Sequence, residues 1–358
     1  MTVAASVKVP GYSNPIALAS DSAEPGVWFL AENATDVSVF RWDGATSTLQ
    51  RYSLGNPTSG NLVFGVQAAL AVSPNGTVWA GINSTLIRLD PSTGAIRIIP
   101  IPTPADNAIA ESHRPPQIQG VHDIEAIAVN SAGNLAVATS ASNSVEFYND
   151  TTQEFAQMSL AGGGEPLDLA YLSDGTLGIA TTDWDNPDGG GTDLVELVGP
   201  SGQLGQAHVD ATNISAGGTA FVVTAGGSSL AQVAPGSSLD PTSNLSATNI
   251  TNIPVSNMQL LVGSPALSFG NGSVLASTKD GFVKLNLASQ QAVAFDLPTY
   301  SCSGLSVPPQ PGGPSVEPPV TKTCQSYPLS YSVDVDGNVW FTSSGAGSTV
   351  NEISSGSF

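Results

Sequence analysis

The sequence predicts an all-β chain, a seven-bladed β-propeller of four-stranded antiparallel blades closed into a ring. Three observations carry this reading. Short apolar runs alternate with turn signals along the whole chain. The turns are supplied by 38 glycines and 26 prolines in 358 residues. A unit of four short strands in about 40 residues, the size of one propeller blade, recurs. Its clearest copy lies within 70–102. Leu70–Val72 runs into Ser73-Pro74-Asn75-Gly76, and Val78–Ile82 leaves that turn. Leu86–Leu89 follows Asn83-Ser84, and Asp90-Pro91-Ser92-Thr93-Gly94 leads into Ala95–Ile99. Asn-Gly between apolar runs predicts a type I′ hairpin with φ > 0 at both central residues. In the second turn Pro91 presets φ and Gly94 is permissive.

The other units follow in order. A lone strand, Val7–Pro10, precedes unit one, whose strands are Pro15–Ala19, Val27–Leu30, Val37–Trp42 and Leu49–Leu54. Unit three has Ile124–Val129, Leu135–Ala138, Val145–Tyr148 and Glu154–Leu160. Unit four has Pro166–Tyr171, Leu177–Ala180 and Leu194–Val198, with an insertion at Asp183–Asp193. Unit five is irregular: Gly217-Gly218 precedes Ala220–Val223, Leu230–Val233 follows, and the Ser/Asn/Thr-rich stretch Ser237–Asn252 blurs its outer edge. Unit six has Pro265–Phe269, Val274–Ala276, Phe282–Leu287 and Ala292–Leu297. Unit seven has Ser332–Val335, Val339–Thr342 and Val350–Ile353, and then the sequence ends. The turn glycines Gly26, Gly76, Gly133, Gly175, Gly218, Gly272 and Gly337 mark seven units. With one strand spare at the start and one missing at the end, the N-terminal strand is expected to complete the last blade. Closure removes edges that a linear array would expose. The whole of 1–358 is read as a single propeller domain with a Pro-rich insertion at 299–328.

Composition narrows the partners. Nine Lys+Arg face 29 Asp+Glu, a net charge of −20. Nucleic acid and anionic membrane surfaces both require basic residues, so neither is an expected partner. No apolar run reaches the roughly 20 residues of a membrane span. The start, Met1–Lys8, lacks a charged segment followed by an apolar one, so no leader peptide is visible. Cys302 and Cys324, the two cysteines, flank the Pro-rich segment and read as a disulfide formed in an oxidising compartment. Eight sequons, at Asn33, Asn75, Asn83, Asn149, Asn213, Asn244, Asn249 and Asn271, are candidate glycosylation sites. Asn75 and Asn271 also sit in expected hairpin turns, where asparagine has a backbone role. The chain is therefore expected outside the cell or on its surface.

Ser73-Pro74-Asn75-Gly76-Thr77-Val78-Trp79 and Asp334-Val335-Asp336-Gly337-Asn338-Val339-Trp340-Phe341-Thr342 resemble the repeat of virginiamycin B lyase-like seven-bladed propellers, and Leu86–Gly94 fits its second half. The resemblance implies the propeller fold. It also implies a metal-assisted enzyme whose histidines and glutamate surround magnesium at the channel mouth. Here His122 and Glu125 fall just before and within an inner strand, near that mouth. His113 lies in a Pro-rich loop, and His208 on or beside the outer strand of unit four.

Other chemistry is sparse. Asp183, Asp185, Asp188 and Asp193 punctuate a Gly-rich insertion and form a candidate structural calcium loop, though not with EF-hand spacing. Glu165 and Asp168 read as solvated rim carboxylates. No Gly-x-Ser-x-Gly elbow, phosphate-binding glycine loop or zinc-spaced Cys/His cluster is present. Trp28, Trp79 and Trp340 recur at equivalent positions and read as blade packing; Trp42 and Trp184 do not. The expectation is a non-catalytic structural or binding module that associates with itself or with other surface proteins and glycans. The alternative is a metal-dependent lyase or hydrolase.

Overall fold

The computed structural model describes residues 3–12, 15–20, 24–33, 35–55, 68–104, 112, 122–160, 164–182, 194–200, 202, 204–209, 211–216, 219–225, 229–235, 250–254, 267–269, 273–286, 289, 291–303, 321–325, 328–343 and 349–357. Their strands form seven four-stranded sheets and one two-stranded hairpin. Strand β1 (Ala5–Lys8) comes first. Blade one is β2 (Pro15–Ser20), β3 (Gly26–Glu32), β4 (Val37–Asp43) and β5 (Thr48–Ser53). Blade two is β6 (Ala68–Val72), β7 (Val78–Ile82), β8 (Thr85–Asp90) and β9 (Ala95–Ile99). Blade three is β10 (Ile124–Val129), β11 (Leu135–Thr139), β12 (Ser144–Asn149) and β13 (Glu154–Ser159). Blade four is β14 (Glu165–Tyr171), β15 (Leu177–Thr182), β16 (Leu194–Val198) and β17 (Leu204–His208). Blade five is β18 (Ala211–Ala216), β19 (Phe221–Ala225), β20 (Ser229–Val233) and β21 (Ile250–Pro254). Blade six is β22 (Leu267–Phe269), β23 (Ser273–Thr278), β24 (Gly281–Asn286) and β25 (Gln291–Asp296). The hairpin β26 (Thr299–Ser303) and β27 (Thr321–Gln325) precedes blade seven, β28 (Pro328–Val333), β29 (Val339–Ser343) and β30 (Thr349–Ile353).

The first strands of successive blades adjoin one another, and β28 returns to β2, so the sheets close a ring. β1 pairs antiparallel with β30, Val7 opposite Val350, and becomes the outer strand of blade seven as expected. Val7 and Val9 are buried with Phe29, Phe40 and Trp340. Packing explains why the second strands are the most apolar runs. β3, β7, β11 and β29 lie between neighbouring sheets and are buried on both faces, whereas β2 and β10 alternate buried and half-buried. The core is thus divided into seven apolar clusters, one at each junction between blades. Where blades approach most closely the sequence has glycine. A Cβ at Gly81 would lie 2.5 Å from Ile124 Cγ2, and one at Gly178 2.5 Å from Ile214 Cδ1.

The Asn75-Gly76 turn differs from the type I′ expectation. Gly76 N–H donates to Ser73 O, and Ser73 N–H to Thr77 O, with positive φ at Gly76 but not at Asn75. Pro74 holds φ negative, so the turn is a type I turn followed by a left-handed glycine. The same bond pair recurs at 130–134, 172–176 and 334–338. In the last of these Asp334 accepts from Asp336 N–H and Asn338 N–H, which ends the strand at Val333 rather than at Val335. One further correction concerns a strand that lacks apolar alternation: blade five has an inner strand, β18. The outer strand of blade four, β17, ends at His208.

Candidate functional site

Antiparallel order sends the first-to-second and third-to-fourth turns of every blade to one rim. The second-to-third turns and the connections between blades leave from the other. His122, Asp123, Ser140, Ala141 and Glu165 belong to this second rim, where the long connections 100–123 and 297–327 also begin and end.

The inner strands share a device at this rim. The register slips by one residue between Pro15 and Ala17, Ile124 and Ala126, Pro166 and Asp168, Ala211 and Ile214, and Pro328 and Ser330. A bulge sets the extra residue apart from the ladder. In four of these strands that residue is Ile16, Glu125, Leu167 or Leu329; the first three are half-buried and Leu329 is 47% exposed. The bulges therefore set three aliphatic residues and one carboxylate at this rim. Proline opens two of these strands (Pro15, Pro328) and is the second residue of β14 (Pro166), a readable signal, since a strand tolerates proline at its start or at a bulge.

Ionisable groups at this rim are tied to main chain. His122 Nδ1 lies 3.0 Å from Ser140 O and donates to it. Asp123 N–H donates to Ser140 Oγ, Ser140 N–H to Asp123 O, and Ile124 N–H to Asn83 O of blade two. Glu165, 5% exposed, accepts from Ala141 N–H of blade three, where Ala141 has a φ of 57°. Asp168 accepts from Leu169 N–H at 2.9 Å and from Ile214 N–H of blade five at 3.0 Å. Burial pushes the Asp168 pKa up to about 6, against the opposing pull of those bonds and of Asn213. Glu165 and Asp168 are thus joints between blades, not the solvated rim carboxylates that the sequence suggests.

Similar ties stitch other junctions. Tyr12, just after β1, donates to Asp36, which also accepts from Ser38, Ser53 and Arg51. Burial alone would raise the Asp36 pKa, but these bonds outweigh it and hold the group at about 2. Asp150 of blade three pairs with Arg88 and Arg97 of blade two, at 2.9 and 3.0 Å. Tyr331 of blade seven accepts from Ser277 N–H of blade six, and burial raises its pKa.

Glu146 on β12 was not singled out from sequence. It is fully buried, accepts from Ser144 Oγ and Gln157 Nε2 through Oε1, and has no partner for Oε2. Burial raises its pKa. A glutamate between Val145 and Phe147 in a third strand was the available clue.

Trp28, Trp79 and Trp340 pack between blades. Arg41 covers Trp28 at 5.6 Å, and Tyr52 lies against it at 5.9 Å. Trp79 donates to Ser73 Oγ and Trp340 to Asp334 Oδ2. A groove of about 710 Å³ between blades one and two, lined by Trp28, Arg41, Tyr52, Arg88 and Asp90, therefore offers no open stacking face at Trp28.

Among the described residues no three of His, Cys, Asp and Glu form a metal-holding group, so the donor set implied by the lyase resemblance is not assembled there. Asp183, Asp185, Asp188, Asp193 and His113 lie outside the described residues, as do Asn244, Asn249 and Asn271. Asn75 and Asn149 are exposed; Asn33, Asn83 and Asn213 are half-buried. Asn33, Asn75 and Asn149 cap turns through Oδ1, which leaves Nδ2, the atom that carries an N-linked glycan, outside those bonds. The hairpin register sets Cys302 opposite Lys322 and Cys324 opposite Tyr300, so the cysteines occupy diagonal positions; their side chains lie outside the described residues.

No protein-family model and no curated protein matches the chain. Solved structures do. A streptogramin B lyase structure aligns with a TM-score of 0.63 at 14% identity, over 97% of this chain and 96% of that one. The virginiamycin B lyase of Staphylococcus aureus aligns at 0.61 and 14%, over 97% of each chain. A chain of the Mitotic Checkpoint Complex aligns at 0.60 and 11%, over 99% of this chain and 92% of that one. At such identities the likeness is one of fold, and in fold the chain is a seven-bladed β-propeller similar to the virginiamycin B lyases.

Proposed function

We propose that the chain is a non-catalytic β-propeller of the cell surface or extracellular space, a structural and binding module that self-associates. One observation carries this reading: Glu165, Asp168 and His122, three ionisable groups of this rim, hold main-chain groups of their own and neighbouring blades. A carboxylate that secures the next blade is already occupied by a structural task.

Low density of charge favours association, since only 11% of residues are charged, although the net −20 opposes it at neutral pH. The opposition fades in acid as carboxylates protonate. The same reading includes a Cys302–Cys324 disulfide, with local adjustment of the hairpin to join diagonal positions. It also includes glycans at exposed sequons such as Asn75 and Asn149. The partners are further copies of the chain, or other surface proteins and glycans.

Calorimetric titration with Mg²⁺ and with Ca²⁺ tests the non-catalytic part. The reading expects identical heats for the wild type, His122→Ala and Glu125→Ala. Mg²⁺ binding that disappears in either variant would overturn it and favour a metal-dependent lyase or hydrolase.

A further inference from the structure

Glu146 is a fully buried carboxylate with partners on one oxygen only. It stands on β12 opposite Val137 of β11 and Gln157 of β13. On this face Leu135, Val137 and Tyr148 pack against Trp79 and Leu86 of blade two. Ser144 and Thr139, each two residues nearer the rim on its strand, share the face. All the donors here reach the same atom. Ser144 Oγ donates to Glu146 Oε1 at 2.9 Å, and Gln157 Nε2 donates to it at 3.1 Å. Ser142 Oγ, in the turn, lies 2.9 Å from Ser144 Oγ. Glu146 Oε2 and Thr139 Oγ1 are buried without a partner, and so is Asn143 Oδ1 of the same turn. Other atoms of this kind among the described residues are the hydroxyls of Ser215, Ser277 and Thr342 and the Nε of Arg97. Only here is one a carboxylate oxygen.

Protonation does not satisfy the group. Oε1 already accepts twice, so the proton would sit on Oε2 as a donor without an acceptor. Ionisation leaves a bare charge in an apolar junction, which is costlier still. Among the described residues no lysine or arginine pairs with Glu146. His122 acts on it through space, but His122 Nδ1 is held by Ser140 O.

We propose that Glu146 Oε2 and Thr139 Oγ1 are ligands of a monovalent alkali cation, Na⁺ or K⁺, held in blade three at its junction with blade two. Hard cations take carboxylate, hydroxyl and water oxygens. A single carboxylate among neutral oxygens matches one positive charge, whereas Ca²⁺ sites gather several acidic ligands. The ion would neutralise the buried carboxylate and fix the turn between β11 and β12, whose Ala141 N–H is held by Glu165 of blade four. One small site would then brace a rim on which three blades meet.

Melting curves of the full chain at pH 8 test the site, in matched series of NaCl, KCl and tetramethylammonium chloride. Anion and ionic strength are then equal, and tetramethylammonium is too large for a buried site. The expected midpoint is higher in NaCl or KCl and climbs with the logarithm of alkali concentration, as for any ligand of the folded state. Glu146→Gln, which keeps the shape and loses the charge, should make the three series coincide. Thr139→Val leaves the carboxylate in place and should shift the alkali response to roughly tenfold higher concentration, the effect of one lost ligand. This second variant decides the matter if Glu146→Gln does not fold. Coincident series for the wild type overturn the proposal, and so does an alkali response that either folded variant leaves unchanged.

Discussion

Replacing Asp168 with asparagine removes a titrating group from the joint between blades four and five. Its effect should therefore depend on pH. Asp168 has a folded pKa of about 6 against an ordinary value of 3.8. Because the folded value is the higher, folding favours the protonated form. The stability this contributes is full below about pH 4 and is lost as pH rises through 6. Two units at about 1.4 kcal/mol each give about 3 kcal/mol, and partial solvent access trims this to about 2–3 kcal/mol. Asparagine cannot ionise, but it keeps a single side-chain acceptor for two main-chain donors, Leu169 N–H and Ile214 N–H. Losing one of those bonds counts most where the wild-type group is ionised, because both bonds favour the charged form. The wild type should still lose stability relative to the variant between pH 4 and pH 7, by up to about 2–3 kcal/mol. Urea unfolding followed by tryptophan fluorescence at pH 4, 5, 6 and 7, at constant ionic strength, reads the difference. Parallel stability profiles for the two proteins would refute the reasoning, because Asp168 would then contribute nothing to the pH dependence.

Asp36 works in the opposite direction: its pKa is lowered to about 2, so its contribution is present above about pH 4 and lost as pH falls through 2. Together the two aspartates place the stability maximum near pH 4, which urea unfolding at pH 2, 4 and 7 will show. Tyr12→Phe keeps the ring against Phe40 but loses the bond to Asp36. It should cost about 1 kcal/mol and raise the Asp36 pKa, measured by NMR titration. Gly178→Ala forces a methyl against Ile214 and the Phe221 ring, and should lower stability by about 1–3 kcal/mol, seen as a reduced urea midpoint. Removing residues 1–10 strips β1 from β30 and takes Val7 and Val9 out of the core. At about 1.5–3 kcal/mol for each buried valine, the cost is about 3–6 kcal/mol, and an unchanged melting temperature would contradict ring closure by this strand.

The blade count was legible because each turn glycine is followed by an apolar second strand, and that strand is apolar because sheets cover both its faces. Closure was legible from the spare strand at one end and the missing one at the other. β18 was hidden because Thr212, Asn213 and Ser215 interrupt its apolar alternation and a bulge shifts its register. β17 was expected beside His208, but its bounds were not readable because Leu204-Gly205-Gln206 carries no apolar alternation. The rim was the least readable part. His122 and Glu125 could be placed near the mouth from sequence. The bonds that define the other carboxylates join distant residues, Glu165 to Ala141 across 24 positions, Asp168 to Ile214 across 46, and Arg88 to Asp150 across 62. No local pattern encodes such partners; only closing the ring brings them together.

Self-association is the central claim, and the mass of the native particle tests it most directly. Multi-angle light scattering of the purified chain at pH 4 and pH 7 should give a mass at least twice 36.2 kDa, with the larger species favoured in acid. A particle of 36.2 kDa at both pH values, at all concentrations, would contradict it.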